Sequence, residues 1–182
     1  MVKSNQNTVK CESSKTIKGM AMSFTNEHLF FDDVEVNQEW VTAGRTITQT
    51  DVVNFAGVSG DFNPIHMDHQ FAATTPFKQP IAHGLAVLSI ASGLGVHVPL
   101  MRTLAVIQIK DWHFKEPVFF GDTIKVHCKV LEKQVKSRGR RGVISWERKI
   151  INQHGKIVQE GITLTLVEGR GLKPNSVDAT AE

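Results

Sequence analysis

Asp61 and His66 stand five residues apart in the stretch Ser59-Gly60-Asp61-Phe62-Asn63-Pro64-Ile65-His66-Met67-Asp68. A carboxylate and an imidazole this close can share acid–base work on one small object, such as a water molecule. That requires a stiff chain between them. Pro64 fixes its own φ and pushes Asn63 towards extended geometry. Gly60 supplies any positive φ at the start. The stretch is therefore expected to be a turn rather than a helix. The plain alternative is an Asx-turn beside a surface histidine.

Helices on either side must aim this turn. Before it, Thr48 is placed to cap a helix with Asp51 as its capping-box partner. Val52, Phe55 and Ala56 recur at helical spacing, and Gly57 or Gly60 ends the run. After it, Asp68 is placed to cap a short helix over His69–Thr74. Pro76 and Pro80 then force a loop. The next segment, about His83–Val96, is apolar in all directions, so a helix there is expected to be buried on every side. Its Gly93-Leu94-Gly95 end suits a fraying terminus or cap.

Downstream the pattern changes to strands. Leu104–Phe114 is long, with Ile107 and Ile109 alternating against Gln108 and Lys110. Pro117 breaks it, and Gly121-Asp122 make a turn. In Thr123–Leu131, the residues Ile124, Val126, Cys128 and Val130 share one face. Lys136–Gly142 reads as a hairpin tip. Val143–Ile151 carries Ile144, Trp146 and Ile150 on one side. In Ile157–Val167, the residues Val158, Ile162, Leu164 and Leu166 are expected to form the inward face. Long strands joined by short turns pair antiparallel. The economical fold is α+β: an antiparallel sheet wrapped around one long buried helix.

Composition sets the outer limits. The 182 residues suffice for one domain, and 41% hydrophobic with 21% charged residues is ordinary for a globular chain. Lys3, Lys10, Lys15 and Lys18 against Glu12 account for the whole net charge of +3. The rest of the chain is neutral, which gives no support for nucleic-acid binding. Cys11 and Cys128 form neither a disulfide framework nor a metal-spaced pair, so a reducing, cytoplasmic setting is expected. Residues 1–25 lack an apolar signal-peptide core and any Arg. They read as a disordered extension, and residues 170–182 as a loose tail, around a domain at 26–169. Ala82–Val98 is too short and too rich in Gly and Ser for a membrane span.

Three stretches together resemble the MaoC-like (R)-specific enoyl-CoA hydratases. They are Ser59–Asp68, then Pro80-Ile81-Ala82-His83-Gly84, and Ser89-Ile90-Ala91-Ser92-Gly93. The segment Glu116–Asp122 also looks like a strand turn of that family. The likeness runs across roughly Phe31–Gly169. It implies a hot-dog fold, a homodimer or higher homo-oligomer, and an acyl thioester substrate. It implies no cofactor and no metal, since coenzyme A or an acyl-carrier protein arrives as part of the substrate. Carried over by position, Asp61 and His66 hold the catalytic water. Gly84 offers its backbone N–H to the thioester carbonyl. Ser92 orients Asp61 by a hydrogen bond, and Asn63 stabilises the turn. His83 either lines the pocket or hydrogen-bonds at the helix start.

The chemistry also follows from the residues. Adding water to an enoyl thioester requires removing a proton from water, giving one to the α-carbon, and stabilising enolate charge. An Asp/His pair covers the first two tasks. A backbone N–H at a helix start covers the third. Two competitors share the architecture. A thioesterase would need an acid or nucleophile on the central helix, and Ala82–Val98 contains no Asp or Glu. A non-catalytic acyl-thioester-binding protein would have no use for an intact Asp61/His66 pair. The basic tip Lys133, Lys136, Arg138, Arg140 and Arg141 is either a solvated hairpin that resists edge pairing or a contact for coenzyme A phosphates or an acidic carrier.

Overall fold

A computed structural model describes residues 28–171. The extension at 1–25 and the end of the tail, residues 172–182, lie outside it. Chain order is β1 (Glu39–Val41), β2 (Arg45–Thr46), α1 (Gln49–Ser59), α2 (Pro64–Met67), α3 (His69–Thr74), α4 (Gly84–His97), then β3 (Thr103–Phe114), β4 (Thr123–Lys136), β5 (Arg141–Ile151) and β6 (Ile157–Glu168). The sheet runs β1-β4-β5-β6-β3, with β2 also on the outer side of β4. Every pairing between these strands is antiparallel. The sheet curls around α4. Val87 and Ala91 of the helix pack with Ile124, Val126, Val130, Trp146 and Ile150 of the strands.

Local signals placed most of the boundaries. Thr48 and Asp51 form the expected capping box on α1. Gly60 ends α1 in the left-handed region at φ 76°. Asp68 accepts from the backbone N–H groups of Gln70 and Phe71, capping α3 as expected. The alternation in β4 is also as expected, with Ile124, Val126, Cys128 and Val130 fully buried.

Four expectations need correction. Pro64–Met67 is a one-turn helix, not an open turn, because Pro is tolerated at the first helical position, where its missing N–H costs nothing. In the single chain α4 is not buried on every side. Ala86, Val87 and Ala91 are buried, whereas Leu85 and Val96 are each 59% exposed. In β6 the inward face is the opposite of the apolar one expected beyond Val158. Gln159, Thr163, Thr165 and Val167 point in, and the three polar groups have partners there. Finally, the tail is held at its start: the Arg170 backbone N–H donates to Asp32 and its guanidinium pairs with Asp33.

The β3 edge of the sheet is long and open. Among the described residues, no strand pairs with the outer side of β3. Leu104, Val106, Ile107 and Ile109 on it are each about half exposed.

Candidate active site

The Asp61–His66 segment is held by short-range hydrogen bonds. The Asp61 carboxylate accepts from the Asn63 backbone N–H at 3.2 Å. Asn63 caps α2 by accepting from the Ile65 backbone N–H at 3.1 Å. Asn63 thus stabilises the turn as expected, through capping geometry.

His66 sits on α2, facing the segment that leads into α4. Its Nδ1 lies 2.8 Å from the Ile81 carbonyl oxygen. A carbonyl only accepts, so Nδ1 carries the proton and Nε2 is left as a base. Burial lowers the His66 pKa below the usual imidazole value of 6.5, and neighbouring His83 lowers it further. The Ile81 bond and Asp61 oppose this. The balance favours the neutral ring, the form able to take a proton.

His83 is the residue before α4, and it is buried. Its Nε2 is 2.8 Å from the Asp61 backbone oxygen, so it bonds near the helix start, one of the two roles expected. This bond pins the Asp61 turn to the central helix. The His83 ring also packs on His66 at 3.8 Å between centroids. Its Nδ1 is buried without a hydrogen-bond partner. One side-chain atom from each of Asp61, His66 and His83 lies within 4.8 Å of the others. Three such groups could suggest a metal. His83 Nε2 carries a proton to donate to the Asp61 carbonyl, which leaves the lone pair of the ring on the buried, unpartnered Nδ1.

Gly84 is the first residue of α4, where backbone N–H groups have no partner within the helix. It borders a cavity of about 460 Å³ that also touches His66, Ile81, Leu85, Phe114 and Gln159. A β-carbon on Gly84 would lie 2.7 Å from the Phe114 ring. A bare glycine therefore lets the aromatic ring close against the helix start. Beneath it, Gln159 of β6 donates from Nε2 to the Gly84 carbonyl at 2.9 Å. The Gln159 Oε1 accepts from Trp112 Nε1 at 3.1 Å. The start of α4 is thus tied to the sheet by a buried polar bridge.

Asp61, His66, His83 and Gly84 therefore meet at one end of α4, with Asn63 holding the turn. Ser92 does not join them. It is eight residues further along the same helix, roughly 12 Å by helical rise, and it lines a different cavity. Gln159 and Phe114 were not anticipated. Nothing local in the sequence marks them, because their partners are tens of residues away.

Known proteins resemble this chain in sequence and in fold. The MaoC like domain family matches residues 33–148. The chain is 33% identical over 149 residues to an (R)-specific enoyl-CoA hydratase from Rhodospirillum rubrum, covering 78% of this chain and 94% of that protein. It spans only about a third of protein MaoC from Klebsiella aerogenes and 65% of 3-hydroxybutyryl-CoA dehydratase from Methylorubrum extorquens. Among solved structures, a monoamine oxidase regulatory protein from Archaeoglobus fulgius superposes with a TM-score of 0.73 at 35% identity, covering 81% of this chain and 97% of that one. A Mycobacterium tuberculosis protein with a double hotdog fold shares the architecture at 20% identity and a TM-score of 0.73, covering 85% of this chain and 52% of that one. The sheet wrapped around α4 is a hot-dog fold, and the chain belongs to the MaoC-like domain family.

Proposed function

We propose that this chain is a hydro-lyase. It adds water across the double bond of a trans-2-enoyl thioester to give the (R)-3-hydroxyacyl thioester, and catalyses the reverse dehydration. The observation that carries this reading is the meeting of Asp61, His66 and Gly84 at the start of α4. The thioester carbonyl accepts from the Gly84 N–H, and the positive end of the helix stabilises the enolate charge. A water molecule sits between the Asp61 carboxylate and His66 Nε2. The pair removes one proton from it, the hydroxyl bonds to the β-carbon, and the pair returns a proton to the α-carbon. One water enters the product, and no cofactor is needed. Coenzyme A or an acyl-carrier protein is carried by the substrate. Relatives named (R)-specific enoyl-CoA hydratase and 3-hydroxybutyryl-CoA dehydratase support this class.

The working unit is a homodimer in which a second copy pairs with β3. A twelve-residue apolar edge strand left open would invite aggregation, and a second copy removes that edge. Among the described residues, no helix is long and apolar enough to cross a membrane.

Turnover of crotonyl-CoA in heavy-oxygen water tests the reaction class. Hydration places the label on C3 and leaves the thioester intact. Thioesterase action would instead place the label in a free carboxylate and release thiol. Binding without either product would identify a non-catalytic acyl-thioester-binding protein.

A further inference from the structure

A second cavity, about 630 Å³, lies along the other half of α4. Much of its wall is apolar, with Ala91, Val126 and Ile150 among its residues. Arg148 of β5 brings a charge into it. Of the five N–H groups of that guanidinium, Nε donates to Thr163 at 3.2 Å and Nη1 to the Cys128 sulfur at 2.9 Å. Among the described residues, no carboxylate forms an ion pair with Arg148. Burial pushes the Cys128 thiol up, more than Arg148 pulls it down. The sulfur therefore stays neutral and gives no counter-charge.

The helix makes room for this cation. A β-carbon on Gly95 would lie 2.6 Å from Arg148 Nη1. Ser92, one turn earlier, adds a hydroxyl to the same cavity. A partly buried cation without a counter-ion is costly. Its free N–H groups on Nη1 and Nη2 form the fork that grips a carboxylate at two points.

We propose that Arg148 makes this cavity a receptor for the far end of the acyl group, and that the substrate is an enoyl thioester whose acyl chain ends in a carboxylate. The inference rests on the proposed hydration and names its substrate class. Gly84, at the reacting end, and Gly95, beside Arg148, are roughly 16 Å apart along the helix. Lining residues of the two cavities touch: Gln159 borders the first and its hydrogen-bond partner Trp112 the second. An acyl chain lying along α4 would meet apolar walls and finish on the guanidinium.

The test uses matched pairs of trans-2-enoyl-CoA thioesters, from hexenoyl to dodecenoyl. The members of each pair differ only in ending in a methyl group or a carboxylate. Wild-type full-length protein should favour the carboxylate member by about tenfold or more in kcat/KM at one chain length. Arg148→Met should collapse that ratio. Gly95→Ala, which crowds the guanidinium without removing it, should reduce the ratio less. An unchanged ratio in Arg148→Met at every length would overturn the assignment. So would equal loss on both members with dissociation to monomers in sedimentation, since Arg148 would then serve the interface. If the wild type hydrates no member, melting with free dicarboxylates from adipate to dodecanedioate decides. Protection of wild type but not of Arg148→Met would keep the anion site and reject the hydration. No protection would overturn the site as well.

Discussion

The two halves of the candidate site are built by opposite means. The Asp61 end of the turn is a surface feature held by neighbours two or three residues away: Gly60 ends one helix, Asp61 accepts from Asn63, and Asn63 caps the next. The Gly84 end of α4 is a core feature held from far along the chain. Gln159 reaches it across 75 residues and is itself held by Trp112 across 47. His83 joins the halves by its bond to the Asp61 carbonyl. Asp61 can therefore be altered without disturbing the core, whereas Gly84 cannot.

Substitutions can break that contrast, and the largest effect is expected at the turn. Asp61→Asn keeps an oxygen to accept from the Asn63 N–H but removes the carboxylate. Hydration should fall by roughly a hundredfold to ten-thousandfold with little change in melting temperature. A matching loss of stability would show that the turn is part of the core after all. Gly84→Ala places a methyl against the Phe114 ring. A shift of about 1 Å in the helix start should cost up to about a hundredfold in rate. Adding Phe114→Leu should recover part of it, and no recovery would remove the ring from the account.

Gln159→Leu should lower both activity and stability, unlike Asp61→Asn. It leaves the Gly84 carbonyl and the Trp112 N–H without their partner, which costs about 1–3 kcal/mol for a buried group. Denaturant unfolding beside kcat measures both. Asn63→Ala removes only a cap and should cost about 1 kcal/mol.

Acidity separates the halves further. His66 is held below the usual value of 6.5 by burial, so the acid limb of kcat/KM should lie below that value. The sign for stability follows from the same shift. Above 6.5 both folded and unfolded forms of this group are neutral. Below it the unfolded chain takes up the proton more readily, so stability decreases as the pH is lowered, until the lower folded value is passed. In a His66→Gln variant the contribution of this group should vanish from the stability profile.

The contrast also explains what could be read from sequence. Caps at Thr48 and Asp68 act within a few residues, and alternation in β4 reports a purely apolar inward face. These elements were legible. In β6 the same rule failed because the inward face carries Gln159, Thr163 and Thr165, whose polar atoms are paired with Trp112 and Gly84, with Arg148, and with Trp146. Periodicity detects apolar faces, not satisfied polar ones. The exposure of Leu85 and Val96 on α4 follows from a similar limit. An all-apolar helix must be covered, but its sequence does not say whether by its own chain or by another. Ser92 matches a motif position, yet only the helical rise shows how far it lies from Asp61 on the same chain.

The most direct measurement follows the ultraviolet absorbance of crotonyl-CoA with wild-type and Asp61→Asn proteins side by side, with the hand of the product determined. The account predicts loss of the enoyl signal with wild type alone, giving (R)-3-hydroxybutyryl-CoA. An (S) product, or equal turnover by Asp61→Asn, would contradict it.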